Sequence, residues 1–150
     1  MNITETISNF PEFAKDIKLN YSKILNEGIL ESSLLYSVIL ISSIATKCDV
    51  LINAAYEESK SYVTEEIIQD IKGAYAIMSM NAIYYRFTHL TNEQSYSSMP
   101  ANLRMQYMSK HKISKSDFEL LCLAVAILMG CGKCINAHEA VLRENNVENI

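Results

Sequence analysis

The stretch "GCGKCINAHEAVL", residues 130–142, sets two cysteines three positions apart and a histidine four positions beyond the second. Sulfur and imidazole so spaced could hold a metal, anchor a haem, cycle between dithiol and disulfide, or pack as ordinary core. Haem attachment needs histidine directly after the second cysteine, and Ile135 stands there. Zinc would find three ligands in Cys131, Cys134 and His138 but no evident fourth, since Cys122 belongs to the preceding helical stretch and there is no second Cys-x-x-Cys. No bound metal is expected. The redox reading has positive support, because a Cys-x-x-Cys at a helix start places its sulfurs beside unpaired backbone N–H groups and the positive end of the helix dipole. A free thiol with pKa about 8.5 is only a few per cent ionised at pH 7, and such a location lowers that value by about one to several units. Cys131 and Cys134 share one helix face, within the range where a disulfide can close.

His138 lies one turn beyond Cys134 on that face, where it can exchange a proton with the thiol directly or through one water, its tautomer set by a carboxylate on the other nitrogen. Glu119 is the candidate carboxylate. In a hairpin turning at Gly130, position 119 comes level with about position 141, one turn from His138. Glu119 also reads as the capping-box partner of Ser116, a role that can coexist with the first. The other candidates are blander. Cys48 and Cys122 read as small core hydrophobes and the seven methionines as core filler. His89 and His111, at a helix end and in a polar connector, stay outside the expected site.

The elements that must position these residues follow from periodicity. Apolar side chains recur three and four apart nearly throughout, alternation is almost absent, and the chain predicts as all-α. A first helix is expected from Pro11, with Phe13, Ile17, Tyr21, Ile24 and Leu25 lining one side. A second, apolar on most faces, follows Gly28 in "ILESSLLYSVILISSIAT", and "CDVLINAAYEESKSYV" forms a third. A fourth starts at Thr64 and carries Ile67, Ile68, Ile71, Ala74, Tyr75, Met78 and Ala82 at helical spacing. From His89 to Ser116 the pattern lapses into a long connector with one short helix expected around Ala101–Met108. "SKSDFELLCLAVAILM" and "CGKCINAHEAVLREN" then form a hairpin of helices stopped at Gly130.

Sliding the sequence by 83 positions lays Cys48 over Cys131 and the "INA" of Ile52–Ala54 over that of Ile135–Ala137. In the first copy Leu51, Ala55 and Tyr36 occupy the places of Cys134, His138 and Glu119. The expectation is a single domain over 1–150, with a degenerate half at about 10–90 and an active half at about 100–150.

Composition narrows the function classes. A hydrophobic share of 49% over 150 residues suffices for a real core, and a net charge of −4 without basic runs interleaved with aromatics sets nucleic acid aside as a partner. The opening "MNITETISNFPEFAKDIKLN" lacks the basic start and apolar centre of a secretory signal. The longest apolar stretch, Leu34–Ala45, falls short of the roughly 20 residues a bilayer span needs. A soluble, cytoplasmic chain with no membrane association is expected, in a reducing compartment where a close cysteine pair is redox-active or metal-binding rather than a permanent staple.

The spacing Glu119-x11-Cys131-x2-Cys134-x3-His138 resembles the signature of the AhpD-type alkyl hydroperoxide reductases, in the carboxymuconolactone decarboxylase-like superfamily. "PEFAKDIKLN" at Pro11–Asn20, "MSMNAIYYRF" at Met78–Phe87, "NLRM" at Asn102–Met105 and "DFELLCLAVAILMGCGKCINAHEAVLR" at Asp117–Arg143 resemble family segments in the same order. The resemblance implies an AhpD-like all-α fold, a homotrimer and an antioxidant enzyme that holds no cofactor. By it Cys134 is the peroxidatic cysteine that becomes a sulfenic acid, and Cys131 gives a proton and then condenses with it to a disulfide. Glu119 and His138 form the proton relay. The reductant it implies is a dihydrolipoyl group on the acyltransferase of a 2-oxo acid dehydrogenase, and an AhpC-type peroxiredoxin is the implied protein partner. Two departures stand out. Lys133 replaces a family histidine, keeping a cation near the thiols but no proton shuttle at neutral pH, and the family continues through a further helix beyond "VENI". Alternatives to the peroxidase reading are a disulfide reductase serving a peroxiredoxin, and a non-catalytic helical protein with a relic site.

Overall fold

A computed structural model of the chain describes residues 1–145, so the closing "VENI" lies outside it. Among those residues there is no strand, and the architecture is all-α as the periodicity predicts. The first helix, α1 (Ile3–Ser8), precedes the expected start at Pro11. Six residues are too few to show a period, but its cap is legible in retrospect: Asn2 Oδ1 accepts from the Glu5 N–H at 2.8 Å while Glu5 accepts from the Asn2 N–H at 3.1 Å. Pro11 precedes a 3₁₀ turn over Glu12–Ala14, and α2 (Lys15–Glu27) follows, ending at Gly28 with a left-handed φ of 66°. The expected apolar side of this helix is present but is not covered by the described residues, with Ile17 and Ile24 exposed and Phe13 92% exposed. Amphipathic spacing shows that a helix has an apolar side; it does not say that the same chain buries it.

The core is built by α3 (Ser32–Thr46), α4 (Asp49–Ser59), α5 (Glu65–Leu90), α7 (Lys115–Leu128) and α8 (Gly132–Glu144). Helix α7 is central, packing against α8, α3 and α5. Its Phe118, Leu121, Cys122, Val125 and Ala126 recur at three and four residues and are all buried, facing Leu40 and Ile41 of α3 and Ile71, Ala74 and Met78 of α5. The start of α7 differs from expectation: Ser114, not Ser116, is the cap, accepting from the Asp117 N–H at 3.0 Å. Starting two residues earlier puts Ser116 inside the first turn and leaves Glu119 free for another partner. At the other end Gly130, φ 66°, closes a Schellman turn, the Cys131 N–H reaching Ala126 O and the Gly130 N–H reaching Ile127 O, each at 3.0 Å. The α3–α4 hairpin has the same local form 83 positions earlier, with Lys47 left-handed at φ 58° and Cys48 as N-cap.

The connector between α5 and α7 holds α6 (Ser95–Ser98) and a 3₁₀ turn at Gln106–Ser109, in place of the one helix expected over Ala101–Met108. Asn102 takes a left-handed φ of 52°, which a continuous right-handed helix does not accommodate. What fastens this connector is Asp70, fully buried on α5. Its carboxylate accepts from the Tyr107 hydroxyl at 2.9 Å and from the Lys112 and Ile113 N–H groups at 2.6 and 2.9 Å. Three donors replace the water this buried group gave up. Gly73, one turn on, lets the Tyr107 ring lie directly on α5, since a Cβ there would overlap it. No helix is long and apolar enough to cross a membrane among the described residues.

Candidate active site

The site grows from the α7–α8 turn. Cys131 is the N-cap of α8, and its Sγ accepts from the Cys134 N–H at 3.3 Å, so one sulfur satisfies a helix-start donor. Cys131 and Cys134 are joined in a disulfide, their Cα atoms 5.3 Å apart. The two sulfurs are not equivalent. Cys131 is 0% exposed, whereas Cys134, 5% exposed, opens onto a cavity of about 340 Å³. Helix α8 contributes Lys133, Cys134, Ala137 and His138 to its wall, α5 adds Asn81 and Tyr85, and the connector adds Met105 and Met108. The surface these groups present is mostly apolar.

His138 and Glu119 meet, as the hairpin arithmetic suggested. His138 Nδ1 lies 2.6 Å from Glu119 Oε2, and both side chains are close to buried. A carboxylate only accepts, so Nδ1 carries the proton and Nε2 is left as the nitrogen free to take one. Glu119 therefore acts on His138, and its capping-box alternative does not form. The expected arrangement of Glu119, Cys131, Cys134 and His138 is thus assembled in one place, from two helices joined by one turn.

Other expectations are corrected. Cys48 is exposed, not core, because it sits at the mouth of the α3–α4 turn where no later element covers it among the described residues. Of the methionines only Met78 is fully buried; Met1, Met99 and Met105 are exposed, and Met105 and Met108 wall the cavity. Asn81, Tyr85 and these two methionines are site residues that sequence reasoning missed. Asn81 alone had a signal, a polar side chain on the apolar stripe of α5; its Nδ2 donates to Met105 Sδ at 3.0 Å, tying helix to connector. His89, exposed with Nδ1 on Tyr85 O, and His111, stacked on Phe118 with Nδ1 on Ile113 O, lie off the cavity wall as expected. No group of three or more His, Cys, Asp or Glu side chains is arranged to hold a metal among the described residues.

Cys122 provides the contrast that defines a reactive sulfur. Burial, with a further contribution from the Glu119 charge, pushes its thiol up to about 12 from 9.0. A pKa raised in the folded state gives stability that is complete below pH 9.0 and is lost as pH rises toward about 12. With the disulfide reduced, alkylation near pH 8 followed by peptide mass analysis is expected to label Cys48 and spare Cys122. Rapid labelling of Cys122 in the folded protein would contradict this environment.

Comparison with known proteins bears on the whole chain. The model of the carboxymuconolactone decarboxylase family matches residues 95–149, the segment that carries the site. The protein named alkyl hydroperoxide reductase AhpD of Acidobacterium capsulatum is 43% identical over 145 residues, covering 96% of this chain and 79% of that one. Its namesake of Brucella suis is 42% identical over 147 residues, covering 98% and 84%. That of Azorhizobium caulinodans is 40% identical over 144 residues, covering 96% and 80%.

Proposed function

Because the chain belongs to the family of AhpD alkyl hydroperoxide reductases, we propose that it reduces organic hydroperoxides through the Cys131/Cys134 dithiol, with a dihydrolipoyl group as electron donor. One observation carries this reading: Cys134 is the sulfur that opens onto an apolar cavity, and the Glu119-oriented His138 shares the cavity wall.

In the reduced protein the Cys134 thiol gives its proton to His138 Nε2, and the thiolate attacks the terminal oxygen of the hydroperoxide. The O–O bond breaks, the sulfur becomes a sulfenic acid, and the departing alkoxide takes a proton from the Cys131 thiol to leave as the alcohol. The resulting Cys131 thiolate, held at the α8 N-terminus by the Cys134 N–H, displaces hydroxide from the sulfenic acid, and the hydroxide takes the proton held by His138. Water leaves and the disulfide forms. An external dithiol restores both thiols and becomes a disulfide itself. Glu119 stays a carboxylate and stabilises the imidazolium formed in the first step. No metal or bound cofactor takes part in this cycle.

The rest of the reading follows the family. The reductant is the lipoylated acyltransferase of a 2-oxo acid dehydrogenase, an AhpC-type peroxiredoxin is a further partner, and the chain works as a cytoplasmic, antioxidant homotrimer. The domain is single, and its first hairpin is a copy without chemistry: Tyr36, Leu51 and Ala55 hold the places of Glu119, Cys134 and His138. The shared left-handed turn and cysteine cap at Lys47–Cys48 and Gly130–Cys131 support that descent.

Steady-state reduction of cumene hydroperoxide with dihydrolipoamide tests the assignment. One dithiol is expected to be consumed per hydroperoxide. Absence of turnover, together with reduction of an oxidised AhpC-type peroxiredoxin by the same dithiol, would move the function to protein disulfide reduction.

A further inference from the structure

Lys133 stands where the reading above gives it no task. Its ammonium lies 5.0 Å from the centre of the Tyr85 ring, and no carboxylate pairs with it among the described residues. It is adjacent in sequence to Cys134 and shares the wall of the 340 Å³ cavity. It also borders a second cavity of about 180 Å³, walled by Tyr84, Tyr85 and Tyr96 among others. Tyr85 and Lys133 belong to both walls, so the cation sits where the two spaces adjoin. No acidic side chain lines either cavity among the described residues. A cation with no carboxylate partner among the described residues, at the edge of an apolar space and beside tyrosine rings, fits an amphipathic anion.

We propose that Lys133 is the carboxylate-binding residue of this site, which makes hydroperoxides of long-chain carboxylic acids its preferred substrate class. The inference rests on the peroxidase reading and adds to it the part of the substrate that does not react. The carboxylate meets the Lys133 ammonium, the chain lies against Met105, Met108 and Tyr85, and the hydroperoxide group reaches Cys134. Charge pairing at the rim favours binding and does not alter the chemical step, so the preference falls in KM.

The test compares an unsaturated fatty-acid hydroperoxide with its methyl ester, both below the concentrations at which they aggregate, with cumene hydroperoxide as a small neutral control. In the unaltered chain kcat/KM for the acid is expected to exceed that for the ester by about two- to fivefold, carried by KM and shrinking as salt rises. Lys133→Gln brings the acid-to-ester ratio to about one, and Lys133→Arg retains it; the ratio cancels any effect of the substitution on thiolate formation. Equal use of acid and ester by the unaltered chain, or a preference that survives in Lys133→Gln, overturns the inference while cumene turnover leaves the peroxidase reading standing. Failure to reduce any of the three hydroperoxides overturns both.

Discussion

Cys134→Ser is expected to lower hydroperoxide turnover by about 10³-fold or more, because serine at the same place is not ionised near neutral pH and the remaining sulfur, Cys131, has no exposed surface from which to meet substrate. Cys131→Ser gives a different failure. The Cys134 thiolate still cleaves one O–O bond, so a single burst of about one hydroperoxide per subunit is expected, followed by a stalled sulfenic acid that a dimedone-type reagent traps on Cys134. The two variants together separate attack from resolution. Turnover that persists in Cys134→Ser, or a burst that appears there and not in Cys131→Ser, would reverse the roles of the sulfurs. Both substitutions are nearly isosteric, and a far-ultraviolet spectrum matching that of the unaltered chain removes misfolding as an explanation.

Glu119→Gln should reduce kcat/KM by about 10²-fold with little change in KM. The amide can still accept from His138 Nδ1, so ring orientation survives while the charge that stabilises the imidazolium is gone. His138→Gln should cost a similar factor, and the double substitution little more than either alone, because two residues that act as one relay are not additive. The distance of 2.6 Å between them, in a nearly buried setting, is the reason to expect coupling. If the losses multiply in the double variant, or if Glu119→Gln retains activity within about twofold, the relay has no part in the rate. His138→Ala is less informative, since it strands a buried carboxylate and risks about 2–3 kcal/mol of stability for reasons unrelated to chemistry.

Helical content, the stop at Gly130 and the face shared by Cys131, Cys134 and His138 are all decided within a few residues of chain. Backbone hydrogen bonding sets the 3.6-residue period, the absence of a Cβ admits the left-handed turn, and side chains three and four apart then meet whatever lies around them. Those features, and with them the family resemblance, were legible in the sequence. Glu119 is an intermediate case. Hairpin geometry brought it near His138, but only the start of α7 at Ser114 released it from the competing cap. Exposure is different in kind, because it depends on which distant segment covers a given face. Asp70 pins the connector from about 40 residues away in sequence and so makes Met105 and Met108 cavity walls, which no spacing announces. The same long-range packing seals Cys131, opens Cys134 and leaves Cys48 and the apolar side of α2 uncovered. The sequence by itself determined which groups can react; the tertiary structure decided which of them a substrate can reach, because local bonding sets spacing and only packing between remote segments sets access.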